Sequence, residues 1–153
     1  MPDLNLTWSD KTFDALTPFE LYAILQLRNE VFVVEQNCVF QDADNKDFFC
    51  IHLMGWNEND LVAYTRIVPA GIIYEEVSIG RVVTSPQARN SGLGRELMNH
   101  TIERVGSLYG PVNIRIGAQF YLKKFYESLG FVQDGDIYLE DGIQHIEMLR
   151  SVK

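Results

Sequence analysis

Arg89-Asn90-Ser91-Gly92-Leu93-Gly94-Arg95 is the segment whose residue types and spacing come nearest to a chemistry. The β-branched run Val82-Val83-Thr84 precedes it, Ser85-Pro86 breaks the strand, and a helical pattern opens at Gly92. Two glycines let a backbone approach a ligand closely. The unpaired N–H groups of a first helical turn, reinforced by the helix dipole, form an anion site. Arg89 and Arg95 add charge-assisted contacts suited to phosphate. Two familiar phosphate motifs are excluded. A dinucleotide fingerprint needs a glycine where Leu97 stands, and a P-loop needs Gly-Lys-Ser/Thr where Gly94-Arg95-Glu96 stands. The rival reading is a turn that only joins strand to helix.

Composition bounds the partners. The 153 residues carry 13 Lys plus Arg against 21 Asp plus Glu, a net charge of −8. No broad basic surface is available to displace counterions, so nucleic acid is excluded as a general partner, and anionic lipid would repel the chain. An acidic surface suits a cationic or amine-bearing partner. An anionic cofactor remains compatible if donors converge locally. Cys38 and Cys50 make no disulfide scaffold, and His52, His100 and His145 are scattered; reduced thiols in a cytoplasmic protein are expected. Asp42-Ala43-Asp44 resembles the start of a calcium loop. Lys46, Asp47 and Leu53 occupy positions that need a ligand, a glycine and a glutamate, so no metal is expected there. Those carboxylates can attract a cationic amine or simply be solvated. Arg28 and Arg66 can pair with acids to shape that pocket.

The elements that must position these residues follow from periodicity. Leu4 to Trp8 alternates like a strand. Thr17-Pro18 with Glu20 starts a helix whose apolar positions run to about Val34. Gln36 to Asp47 is a polar loop. Phe48 to Trp56 and Leu61 to Pro69 are strands joined by a hairpin, and Glu76 to Thr84 is a third. A helix covers Gly92 to about Leu108, a strand Val112 to Gly117, and a short helix Gln119 to Leu129, closed by Gly130. Phe131–Val132, Ile137–Leu139 and Ile143–Leu149 finish as strands. The strand–helix–strand crossover makes the central pair parallel and right-handed. The expected fold is α/β (α+β): one domain over residues 1–153, with a mixed, mostly antiparallel sheet and helices on both faces.

Arg89-Asn90-Ser91-Gly92-Leu93-Gly94 resembles the Arg/Gln-x-x-Gly-x-Gly/Ala motif of the GCN5-related N-acetyltransferases (GNAT). Gly117-Ala118-Gln119 followed by Phe125-Tyr126-Glu127-Ser128-Leu129-Gly130-Phe131 is similar to the later motif of that family. Further likeness, from about Leu21 to Met148, points to an ElaA-like branch. It includes Leu25-Gln26-Leu27-Arg28, Val31 to Gln36, Asp42-Ala43-Asp44, His52 and Asp141 to Ile146. The resemblance implies an acetyltransferase using acetyl-coenzyme A. Val82, Val83 and Thr84 would bind the pantetheine arm. Arg89, Asn90, Ser91, Gly92, Leu93, Gly94 and Arg95 would bind the pyrophosphate, with Gln119 and Tyr126 also facing the cofactor.

Acyl transfer to an amine needs a proton acceptor, donors for the developing oxyanion and a donor for the departing thiolate. The Val83 N–H is the expected oxyanion donor, provided a bulge frees it. Tyr126, neutral at pH 7, is the expected general acid, against a plain packing role. Family members often carry a Glu where ungapped counting places Ser78; Glu76, on the same strand face, would act through water, and His145 is an alternative base. Arg28, Glu35, Asp42, Asp44, His52 and Arg66 are assigned to the acceptor side, where Glu35 and His52 also compete as bases. The expected acceptor is a primary amine on a small molecule or peptide. No membrane partner is expected, and a homodimer is the default oligomer. A cofactor-binding sensor without turnover is the alternative.

Overall fold

The computed structural model describes residues 5–89 and 91–152. Leu4 of the expected first strand and Asn90 of the glycine turn lie outside them. Strand β1 (Leu6–Thr12) runs on past Trp8 because it pairs along its length with β2 (Ile51–Asn57). A hairpin joins β2 to β3 (Asp60–Val68), which pairs with β4 (Val77–Thr84). Helix α2 (Leu93–Tyr109) then crosses to β5 (Ile114–Gln119), parallel to β4. Short helix α3 (Lys123–Glu127) leads to β6 (Val132–Gln133), β7 (Tyr138–Glu140) and β8 (Ile143–Arg150). The sheet order is β1-β2-β3-β4-β5-β8-β6, with β7 on β8. Among the described residues only the β4–β5 pair is parallel. Pairing β8 next to β5 depends on tertiary closure, which strand periodicity cannot specify.

Helices cover both faces. Helix α1 (Pro18–Arg28) sets Ile24 and Leu27 against Met54, Tyr64 and Val83. On the other face α2 places Leu93 and Leu97 beside Leu53 and Val62, while Met98 and Val105 join the cluster containing Ile114, Ile116, Tyr126 and Phe131. The start of α1 is a capping box: the Glu20 N–H donates to Thr17 Oγ1 at 3.1 Å and the Thr17 N–H to Glu20 Oε1 at 2.8 Å. Its end departs from expectation. After Arg28 the chain widens into a π-helical turn, Asn29–Glu35, with the Gln36 N–H donating to the Val31 carbonyl and the Cys38 N–H to that of Val33, both at 3.1 Å. The wider turn keeps Val31 buried while bringing Glu35 to a cleft between the strands. Among the described residues no helix is long and apolar enough to cross a membrane.

Candidate active site

Strands β4 and β5 pair only at Val77↔Ile114 and Ser78↔Arg115. Beyond these pairs they part, since β4 continues along β3 and β5 along β8. A cavity of about 550 Å³ fills the gap, lined by residues 79–84 of β4, residues 116–119 of β5, and Glu35, Gly94, Tyr126 and His145. Ligands in open α/β sheets bind at such carboxyl ends of parallel strands.

The β4 edge of the gap carries a bulge. Arg66 pairs with Gly80 but Tyr64 with Val83, so β4 has one residue more than β3 between those pairs. Arg81 sits in it at φ +50°, a left-handed conformation. The Ser85 N–H donates to the Val62 carbonyl at 2.8 Å. Counting back along the antiparallel ladder, Val83 turns its N–H toward Tyr64, while Val82 and Thr84 turn theirs toward the gap. This corrects the expected donor. The bulge is present, but the N–H it aims into the gap belongs to Val82.

At the mouth stands the glycine turn. Gly92 caps α2 at φ +75°, a conformation natural to glycine. Among the described residues the first bond inside the helix runs from the Glu96 N–H to the Gly92 carbonyl, and the N–H groups of Leu93, Gly94 and Arg95 find no partner among them. Gly94 lines the cavity, whereas the Leu93 side chain is buried in the core and offers only backbone. Ser91 Oγ is taken by the Ala88 carbonyl at 2.6 Å. Arg89 reaches the cavity but is held by Glu35 through two bonds of 2.7 and 2.8 Å; Arg89 in turn holds the Glu35 carboxyl below its ordinary range. Arg95 faces outward, bonded to Ser128 Oγ at 3.0 Å with its guanidinium over the Phe125 ring.

Tyr126 lines the cavity with its ring packed edge-on against Phe125 and Phe131. Burial, then the neighbouring Tyr121, pushes its phenol up to about 12, so it stays protonated at neutral pH. It is both a packing residue and a cavity residue. His145, paired across the sheet with Gln119, stacks on Tyr138. Its Nδ1 lies 2.8 Å from the Ile143 carbonyl, which fixes the proton there and leaves the Nε2 lone pair free; Glu140 stands 3.5 Å from Nε2. Gln119 lies across the gap from Gln36, Nε2 to Oε1 at 3.4 Å. Tyr74 and Tyr138, not singled out from the sequence, crowd Gly117: a β-carbon there would stand 3.0 Å from both hydroxyls. Glu76 is not brought to the cavity. It sits at the closed end of the strand pair, where Arg115 binds it at 3.0–3.1 Å and holds its carboxyl below the ordinary range.

The three aspartates of the acidic loop are paired with arginines. Arg28, completely buried, donates to Asp42 at 2.6 Å and to Asp47 at 2.8 Å. Arg66 donates to Asp44 at 2.6 and 2.9 Å and to Asp47 at 2.9 Å. Burial raises the Asp44 and Asp47 carboxyls, but the arginines outweigh it and hold both below the usual range. His52, also fully buried, takes a bond from the Tyr64 hydroxyl at 2.6 Å and gives one to the Asp47 carbonyl at 2.9 Å. Burial lowers its pKa and keeps it neutral. Thus Arg28, Arg66, Asp44 and His52 build the floor of the loop, and of the proposed acceptor residues only Glu35 and Asp42 line the cavity. Arg81 and Asp47 were missed. The available signal was a charge, Arg81, set inside the apolar strand run Val77 to Val83.

A mixed sheet opened at its parallel β4–β5 pair, with a glycine-started helix at the mouth, is an architecture found among N-acyltransferases. A protein of that description, the acyl-CoA N-acyltransferase from Pseudomonas aeruginosa, superposes with a TM-score of 0.93 at 42% identity, covering 96% of this chain and 100% of that one. The family profile described as Acetyltransferase (GNAT) domain matches residues 34–152. Protein ElaA of Escherichia coli (strain K12) is 42% identical over 149 residues, 96% of this chain and 97% of its own length. The crystal structure of Escherichia coli ElaA superposes with a TM-score of 0.90 at 41% identity, covering 96% of this chain and 100% of that one. The chain belongs to the GNAT acetyltransferase family and is an acyltransferase.

Proposed function

We propose that the chain transfers an acetyl group from acetyl-coenzyme A to a primary amine of a small molecule or peptide. The observation that carries this reading is the gap between β4 and β5. It is walled by a bulged strand with N–H groups facing inward and ends at the first-turn N–H groups of α2. Those features fit an extended ligand with a diphosphate at one end and an acyl carbonyl at the other. The acyl-CoA N-acyltransferase from Pseudomonas aeruginosa, so similar along its length, supports the same cofactor class.

When bound, acyl-coenzyme A supplies an activated acyl group as a thioester. The protein's share is assigned to its own residues. The N–H groups of Leu93, Gly94 and Arg95 receive the diphosphate, with Arg89 alongside once it leaves Glu35. Val82 donates its N–H to the oxygen that gains charge, and Thr84 extends the same backbone edge. Tyr126 gives its proton to the departing sulfur. His145, on the cavity wall with Nδ1 engaged by the Ile143 carbonyl, takes the proton from the attacking amine at Nε2. The carboxylates of Glu140 and, once Arg89 has left it, Glu35 on the cavity wall favour a cationic acceptor.

The test is thiol release. Incubation with acetyl-coenzyme A and a library of primary amines should liberate coenzyme A with at least one amine and not with matched alcohols. Tight binding of acetyl-coenzyme A without release for any amine would replace the enzyme reading with the sensor one.

A further inference from the structure

We propose that Arg81 is a positioning residue: its fastening to Asp42 sets the bulge in β4 and so turns the Val82 N–H into the cavity. This rests on the acyl-transfer reading and extends it to a residue with no place in the motif.

Register supplies the first observation. If β4 continued regularly from the Arg66↔Gly80 pair, Tyr64 would face Val82. The extra residue makes Val83 its partner instead. A slip of one residue exchanges which N–H groups face each side of a strand. Without the bulge, therefore, Val82 would spend its N–H on β3 and the cavity would lose that donor.

The residue occupying the bulge supplies the second. At φ +50° a residue with a β-carbon is disfavoured, and glycine would be the easy choice. Glycine stands next door at position 80, yet position 81 is arginine. Such a conformation persists only where the surroundings over-determine it. Here the guanidinium does so. Nε lies 2.7 Å from Asp42 Oδ1, off the line of its N–H and so a charge contact, while Nη2 donates to the Asp42 carbonyl at 2.9 Å. Nη2 also lies 3.5 Å from Asp44 Oδ2.

Asp42 is itself held from the far side. Arg28 of α1 grips both its carboxylate, at 2.6 Å, and its carbonyl, at 3.2 Å. Arg66 of β3 holds Asp44 and Asp47 on the same loop. Three arginines from α1, β3 and β4 thus clamp three aspartates. The cluster couples the loop beside the cavity to the strand that carries the donor. The burial of Asp42 and Arg66 makes loss of one partner felt by the others.

The test uses acetyl-coenzyme A carrying ¹³C at the carbonyl, read by infrared difference spectroscopy, with coenzyme A affinity read by calorimetry. In the parent protein the bound carbonyl stretch should lie below its value in water, as a polarising N–H requires. Arg81→Ala keeps the β-carbon that is disfavoured at φ +50° and removes the guanidinium. It should bring the stretch back toward the water value and keep coenzyme A affinity within ~3-fold. It should also lower kcat ~10-fold or more with KM for acetyl-coenzyme A little changed, the sign of a contact made in the transition state. Arg81→Lys, which keeps the charge and loses the fork, should shift the stretch partway and serves if the alanine variant fails to fold. A folded variant whose carbonyl band matches that of the parent overturns the inference alone. A parent protein that does not bind acetyl-coenzyme A overturns the acyl-transfer reading, and this inference with it.

Discussion

Tyr126 holds two roles at once, and a single oxygen separates them. Its ring is part of the core around Phe125 and Phe131, while its phenol, pushed up to about 12, keeps a proton at the cavity wall. Tyr126→Phe preserves the packing and should fold normally. Turnover should fall ~10²-fold, the usual scale for losing a general acid, with coenzyme A affinity nearly unchanged. A pre-steady-state acetyl-transfer rate equal to that of the parent would return Tyr126 to packing alone. His145 and Glu35 are discriminated in the same way. His145→Gln should lower kcat by ~10² or more, since the base is lost. Glu35→Gln should instead tighten coenzyme A, because it releases Arg89 from its bidentate partner.

The strand–turn–helix unit from β4 to α2 binds because of backbone geometry, and its predictions concern backbone. Gly92 is at φ +75° with open space where a β-carbon would stand, so Gly92→Val is opposed by conformation and not by a clash. Coenzyme A binding should weaken at least ~10-fold, about 1.4 kcal/mol, by calorimetric titration. A folded variant with unchanged affinity would remove the turn from the binding site. At the other end of the fold, α1 depends on its capping box. Thr17→Ala should destabilise the protein by about 1 kcal/mol in urea unfolding, without effect on the site.

Electrostatics acts over the whole molecule. A chain of net charge −8 repels an anionic cofactor at long range and attracts it only at the turn. Coenzyme A affinity should therefore respond to salt through Arg89, and a pantetheine fragment without the diphosphate should respond little. The arginine–aspartate clamp couples stability to pH. Asp44 and Asp47 have carboxyls held below the ordinary range when folded. Their stabilisation is complete above the unfolded value, about 3.9, and is lost as pH falls through and below it, because the unfolded chain binds protons first. Melting temperature should hold from pH 7 to about pH 5 and drop below it, and Asp44→Asn should flatten that drop while lowering the melting temperature at pH 7.

Local chemistry determined what the sequence could settle alone. The Thr17–Glu20 cap, the Asn57–Asp60 hairpin, the Gly92 turn and the Gly130 cap follow from residues close together in the chain, whose conformational demands do not depend on distant partners. The two motifs at the glycine turn and around Tyr126 were legible for the same reason, and they carried the family. Pairings between distant residues were decided by the tertiary structure. Only the fold shows that Glu76 answers to Arg115, that His52 is core, and that Asp42 and Asp44 face arginines instead of an amine. The bulge at Arg81 belongs to the same class. Nothing in Gly80-Arg81-Val82 demands an extra residue. The register of β3 against β4, with an aspartate 39 positions away holding the guanidinium, puts it there and sets which N–H enters the cavity.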